Sequence, residues 1–157
     1  MITFRQAVIE DIPKISNLRM NLINNPNSHY GSNDYKELND IDESFRSWLK
    51  ENIYKDDINV IISCNDEGTI TSMGVGVIDK RAPISGALNG KIGWISSLIV
   101  PPEFRKNKLG SETLNHLLEW FDKNEISKVT LQSTEDGEEM YKKLGFIKSD
   151  ESTLIRG

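Results

Sequence analysis

Apolar positions in this chain keep changing their period, and each change marks an element. Residues 2–6 read as a short strand. Ile12, Ile15, Leu18 and Leu22 then recur at three- and four-residue steps, the spacing of one helix face, with Asp11 placed to cap its start. Residues 24–34 are polar, with Pro26 and Gly31, and predict an exposed loop. A second helix is expected over residues 42–52, with Phe45, Trp48 and Leu49 on one side. Residues 60–64 and 70–78 predict two strands joined by Asp66-Glu67-Gly68, a hairpin signal.

The second half alternates between the two periods. Residues 80–90, with Pro83, Gly86 and Gly90, form a connection, and residues 91–100 a strand. The clearest helix spans 111–124, where Leu114, Leu117, Leu118 and Phe121 make an apolar stripe. A strand over 128–132 and a short helix over 137–144 follow. Gly145 suits the left-handed stop of that helix, and the chain from Phe146 is expected to return as a last strand. This order predicts one α/β unit, an antiparallel front half with a strand–helix–strand crossover behind it.

Composition fits that reading. The 157 residues suit one domain. Hydrophobic residues make up 37%, and 11 glycines bring the chain near the usual apolar share of about 45–50%. A net charge of −5 and a pI near 5.1 argue against a general nucleic-acid binder. Cys64 stands alone in an apolar run, so it predicts a core thiol, with no internal disulfide and no Cys/His metal cluster. The N-terminus lacks a signal-peptide apolar region, and no window approaches the ~20 apolar residues of a membrane span. A soluble cytoplasmic protein that binds neither nucleic acid nor membrane is expected.

Positive charge is concentrated in one place. The strand runs through Pro101-Pro102 into Arg105, Lys106 and Lys108, and a helix begins at once. The first amides of a helix lack internal partners and lie at the positive end of its dipole, so such a corner suits phosphate. A solvated basic face is the alternative. The turn is not a Walker loop, because Gly-x-x-x-x-Gly-Lys-Ser/Thr is absent. Gly74-Val75-Gly76 is no dinucleotide fingerprint, because a strand follows it.

Strand, basic turn, helix, strand and a short helix ending in Tyr141-x-x-x-Gly145-Phe146 resemble the acyl-CoA-binding half of the GNAT superfamily of N-acetyltransferases. The opening Ile2-Thr3-Phe4-Arg5 with Glu10-Asp11 extends the resemblance over nearly all of residues 1–157, read as a single domain. It implies an α/β fold of the α+β type: a mixed, mostly antiparallel sheet with one splayed strand pair and helices on both faces. The family's turn is Arg/Gln-x-x-Gly-x-Gly/Ala. Here it is Arg105-Lys106-Asn107-Lys108-Leu109-Gly110, with lysine in place of the middle glycine. Lys108 fits easily at negative φ, whereas a positive φ there would weaken binding. Gly110 would let a ligand approach the backbone closely.

The resemblance also implies roles. Residues Arg105, Lys106, Asn107, Lys108, Leu109, Gly110 and Ser111 would receive the pyrophosphate of acetyl-CoA. The strand before the turn would carry a bulge and splay, so that the main chain of Leu98, Ile99 and Val100 pairs with the pantetheine arm. Tyr141 would protonate the departing thiolate, for which a phenol with a pKa near ~10 is suited, or else pack the short helix on the sheet. Thr134 stands where many members keep an asparagine. No base is assigned: Trp94 and Ser96 occupy the places where many members have a carboxylate, and Glu135 and Asp136 read as surface acids. His29 falls in the polar loop and His116 in the long helix, neither with a role. The implied activity is acetyl transfer to a primary amine of a small molecule or peptide by direct attack, with a homodimer as one option for assembly. A non-catalytic acyl-CoA-binding regulatory domain and an interaction domain without a small ligand are the alternatives.

Overall fold

The computed structural model describes residues 1–23 and 31–157. Part of the expected polar loop, with His29, lies outside them. The strands β1 (Thr3–Gln6), β2 (Ile58–Cys64), β3 (Ile70–Lys80), β4 (Lys91–Ile99) and β5 (Val129–Leu131) form one sheet in that order. The first four pair antiparallel, and β5 joins β4 in parallel. Helices α1 (Ile12–Ile23) and α2 (Tyr35–Asn52) separate β1 from β2. Helix α3 (Leu109–Lys123) makes the crossover from β4 to β5, and α4 (Glu135–Lys143) follows β5.

The sheet separates two cores. Ile15, Leu49, Ile62, Met73 and Val75 are buried on the face covered by α1 and α2, and Leu114, Leu117 and Phe121 on the face covered by α3. Burying each such side chain contributes about 1.5–3 kcal/mol. Glycines let α3 lie close to the strands. A Cβ on Gly93 would come within 2.7 Å of Phe121 Cε1, and one on Gly76 within 3.1 Å of Phe121 Cζ. Among the described residues no helix is long and apolar enough to cross a membrane.

Three local expectations change. Helix α2 begins at Tyr35, well before residue 42, because Asp34 caps it: Asp34 Oδ1 accepts from the Lys36 amide at 3.1 Å. Its first turns are polar and bury only Leu38, so no apolar stripe announces them. Asp11 does not cap α1. It ends a short 3₁₀ turn, and its carboxylate accepts from the Val8 amide at 2.8 Å and from both Arg5 Nη atoms at 2.7 and 2.9 Å. The expected last strand is absent, and residues 146–157 form no strand. Six consecutive polar residues, 148–153, interrupt the period, and Ile147, Leu154 and Ile155 are exposed.

Candidate active site

The site begins with a fork in the sheet. Strand β4 pairs with β5 only at Gly93, Trp94 and Ile95, opposite Val129, Thr130 and Leu131. On its other side it continues against β3, as Ser97, Leu98 and Ile99 face Val75, Gly74 and Met73. The register jumps from Gly76 opposite Ile95 to Val75 opposite Ser97, so Ser96 is an extra residue, a β-bulge at the branch point. Past the bulge, no strand among the described residues pairs with β4 on the β5 side. Such an edge presents main-chain donors and acceptors to a further extended partner. The side chains serve the cores: Ile99 is buried among the α1–α2 residues, and Leu98 packs on the α3 side.

Pro101-Pro102 end the strand, and residues 102–104 form a 3₁₀ turn. Arg105 then turns back, its Nε donating to the Val100 carbonyl at 3.0 Å, and Asn107 Nδ2 donates to the Phe104 carbonyl at 3.2 Å. These two polar side chains hold the loop. Lys106 and Lys108 are exposed and left-handed, with φ of 70° and 60°. Of the two backbone conformations open to Lys108 it adopts the left-handed one, which favours glycine and costs about 1–2 kcal/mol for a residue with a side chain. It is also the N-cap of α3 and makes no side-chain capping bond. Helix α3 starts two residues earlier than expected, so Leu109, Gly110 and Ser111 form its first turn.

Gly110 also borders α4. A Cβ there would come within 3.1 Å of Met140 Sδ and 3.7 Å of Val100 Cγ2. Its bare Cα leaves room for the Met140 side chain of α4. Sequence reasoning missed Met140, since nothing in the pattern pairs it with residue 110. The bulge did leave a signal: Ile95-Ser96-Ser97-Leu98 breaks the alternation of a half-buried strand.

Helix α4 brings two candidates together. The Tyr141 ring is half-buried, edge-on to Phe146 at 5.9 Å, and Cε2 lies 3.3 Å from where a Gly137 Cβ would be. Thr134, the N-cap of α4, makes no side-chain capping bond, and its Oγ1 borders the same glycine at 3.6 Å. Glu135 and Asp136 are exposed in the first turn of α4, where they favour the helix dipole. Glu138 pairs with Lys142 at 3.1 Å, and that contact holds its carboxyl below the usual range. Trp94 is 41% exposed beside the branch point, and Ser97 is buried. His116 stacks on Phe4, with ring centroids 4.6 Å apart. Cys64 ends β2, two strands from β4, half-buried against the α1–α2 core. A cavity of about 510 Å³ opens on the α1 side of the same loop, lined by Leu18, Asn21 and Thr69 together with Ile99, Val100 and Arg105.

Known proteins share this architecture. A predicted acetyltransferase from Clostridium acetobutylicum, solved with acetyl-CoA, superposes with a TM-score of 0.83 at 21% identity, covering 99% of this chain and 96% of that one. A GCN5-related N-acetyltransferase from Ralstonia eutropha gives 0.84 at 19% identity over 99% of both chains. Glucosamine-6-phosphate N-acetyltransferase from Arabidopsis thaliana gives 0.74 at 22% identity, covering 100% of this chain and 97% of that one. At these identities the likeness is one of fold. No curated protein sequence matches the chain. The sequence profile of the acetyltransferase (GNAT) family does match, over residues 24–146, and a match across that much of the chain makes it a member of the GNAT family of acetyltransferases.

Proposed function

We propose that residues 1–157 form a single-domain, cytoplasmic N-acetyltransferase that uses acetyl-CoA to acetylate a primary amine on a small molecule or peptide. One observation carries the reading: the unpaired edge of β4 leads, through Pro101-Pro102 and a single 3₁₀ turn, into a two-lysine turn at the start of α3. An extended amide-bearing arm fits the first, and a pyrophosphate fits the second.

The residues present suit the coenzyme. The main chain of Leu98, Ile99 and Val100 would hold its arm. The amides of Leu109, Gly110 and Ser111 would receive phosphate oxygens, and the ammonium groups of Lys106 and Lys108 would add charge. Arg105 and Asn107 contribute by holding the loop in shape. When bound, acetyl-CoA supplies the activated acetyl thioester. Tyr141 would hold a proton at its phenol oxygen for the leaving sulfur, and Thr134 offers a hydroxyl beside it. Direct attack by the amine is favoured because Cys64, the chain's one thiol, lies two strands from the fork.

A second reading, a non-catalytic acyl-CoA-binding domain, draws support from Trp94 and Ser96 standing where a base is expected. One experiment separates the two. Acetyl-CoA at a hundredfold its dissociation constant should stabilise the fold by about 2.7 kcal/mol, and a panel of amines should release free thiol. Binding without thiol release from any amine supports the second reading. A melt unchanged by millimolar acetyl-CoA contradicts both.

A further inference from the structure

Four hydroxyl groups are buried between the sheet and α3, away from the fork. Ser63, Thr71, Ser72 and Thr113 are each 0% exposed. The β2–β3 pairing jumps from Ser63 opposite Ser72 to Cys64 opposite Ile70, leaving Thr71 as an extra residue. Both neighbours reach Ser63: Thr71 Oγ1 lies 2.7 Å and Ser72 Oγ 2.5 Å from its Oγ. Ser72 Oγ also lies 2.6 Å from Thr113 Oγ1, which donates to the Leu109 carbonyl at 2.7 Å.

The far end sets the direction of the whole chain. A carbonyl can only accept, so the single hydroxyl proton of Thr113 goes to Leu109. Thr113 must then accept from Ser72, Ser72 from Ser63, and Ser63 from Thr71. Each hydroxyl donates once, and the chain ends on the first residue of α3, directly after Lys108. In a dry interior such a chain polarises along its length, and a missing link leaves a costly unpaired group. Apolar contact keeps Thr113 in place: its Cγ2 would lie 3.0 Å from a Cβ on Gly74.

We propose that Thr113 and Ser72 are positioning residues that fix the first turn of α3, and with it the amides facing the phosphates, to the sheet. The proposal rests on the coenzyme reading above. Its mechanism is directional: apolar contacts of α3 over Gly74, Gly76 and Gly93 carry no preferred direction, whereas the hydroxyl chain ties the first turn to Ser72 by hydrogen bonds.

The test uses Thr113→Val, similar in shape but without the hydroxyl, together with Thr113→Ser. Ile126→Val, a buried change outside the network, is the control. Coenzyme A affinity is read by titration, and the amide exchange of residues 112–114, starting at Glu112 whose amide donates to the Lys108 carbonyl, is compared with that of 118–122. Thr113→Val removes two buried hydrogen bonds, from Ser72 and to the Leu109 carbonyl, and should weaken coenzyme A binding by about three- to tenfold. Exchange should rise in the first turn more than in the later one, and Thr113→Ser should restore both. Should Thr113→Val fail to fold, Ser72→Ala, which keeps the bond to Leu109, must shift both readouts the same way by less. If Thr113→Val loses stability as Ile126→Val does while affinity and first-turn exchange stay at wild-type values, the network is mere packing and the proposal is overturned. A folded wild type that ignores coenzyme A would refute the functional reading instead, and the exchange comparison would still decide the anchoring.

Discussion

The two ends of β4 have nearly the same apolar character and opposite fates. Its base, 91–95, has β3 on one side and, at Gly93–Ile95, β5 on the other, and Phe121 presses against Gly93. Its tip, 96–99, keeps β3 but loses β5, gains a bulge, and leads to a turn with two left-handed lysines. Packing is complete at the base and main-chain hydrogen bonding is incomplete at the tip. A single strand thus carries stability at one end and an open binding edge at the other, with Ser96 as the boundary.

The largest effect expected from breaking this contrast lies at the base. Gly93→Val would drive a branched side chain into Phe121, already 2.7 Å from an added Cβ. Overpacking of this kind should cost about 3 kcal/mol, read from the urea midpoint. A midpoint within error of wild type would show that α3 is not seated on the strands as described.

The corner around Asp11 is a control remote from both ends of β4. Arg5 holds the Asp11 carboxyl below its ordinary value through hydrogen bonds, opposed by desolvation and aided by the Val8 amide. Asp11→Ala should cost about 1–2 kcal/mol, a modest figure because the Arg5 side chain is 43% exposed. Since the folded pKa is the lower one, protonation favours unfolding. The contribution is complete above the unfolded value near pH ~4 and disappears as pH falls through the folded value. Urea midpoints between about pH 6 and 2.5 should fall for wild type, and Asp11→Asn should flatten that slope. Coenzyme A affinity at neutral pH should be unaffected by either substitution.

At the tip the expected losses appear in function rather than in folding. Tyr141→Phe keeps the ring that packs against Phe146 and Gly137 but removes the proton donor. Turnover should fall at least about tenfold where chemistry limits the rate, with coenzyme A affinity nearly intact. Wild-type turnover would make Tyr141 a packing residue. The smallest effect belongs to Lys108→Gly. Relief of the left-handed backbone should stabilise the protein by up to about 1 kcal/mol, while losing an exposed ammonium should weaken coenzyme A binding only about two- to threefold. A destabilised Lys108→Gly variant would mean that the backbone at residue 108 is not left-handed.

How much of this was legible in the sequence depended on whether side-chain period or backbone detail decided the matter. Leu114, Leu117 and Phe121 announced α3 and its buried face, and the basic turn stood out by charge alone. Residues 35–41 hid the start of α2 because a cap, not an apolar stripe, begins it. The tail from Phe146 looked strand-like through Phe146, Ile147, Leu154 and Ile155, but the polar run between them leaves no continuous pairing face. The left-handed lysines and the contact of Met140 with Gly110 depend on three-dimensional closure that no local pattern encodes. At Gly110 the glycine itself was visible in the sequence, and its Met140 neighbour was not.

The central claim is that the tip of β4 and the first turn of α3 form one binding edge while the base of β4 is structural. Amide hydrogen exchange with and without saturating coenzyme A tests it directly. New protection is expected at Leu98, Val100 and residues 108–111, with Ile92–Ile95 already slow and unchanged. Protection confined to the α1-face residues Leu18, Asn21 and Thr69, or none at the tip despite saturation, would overturn it.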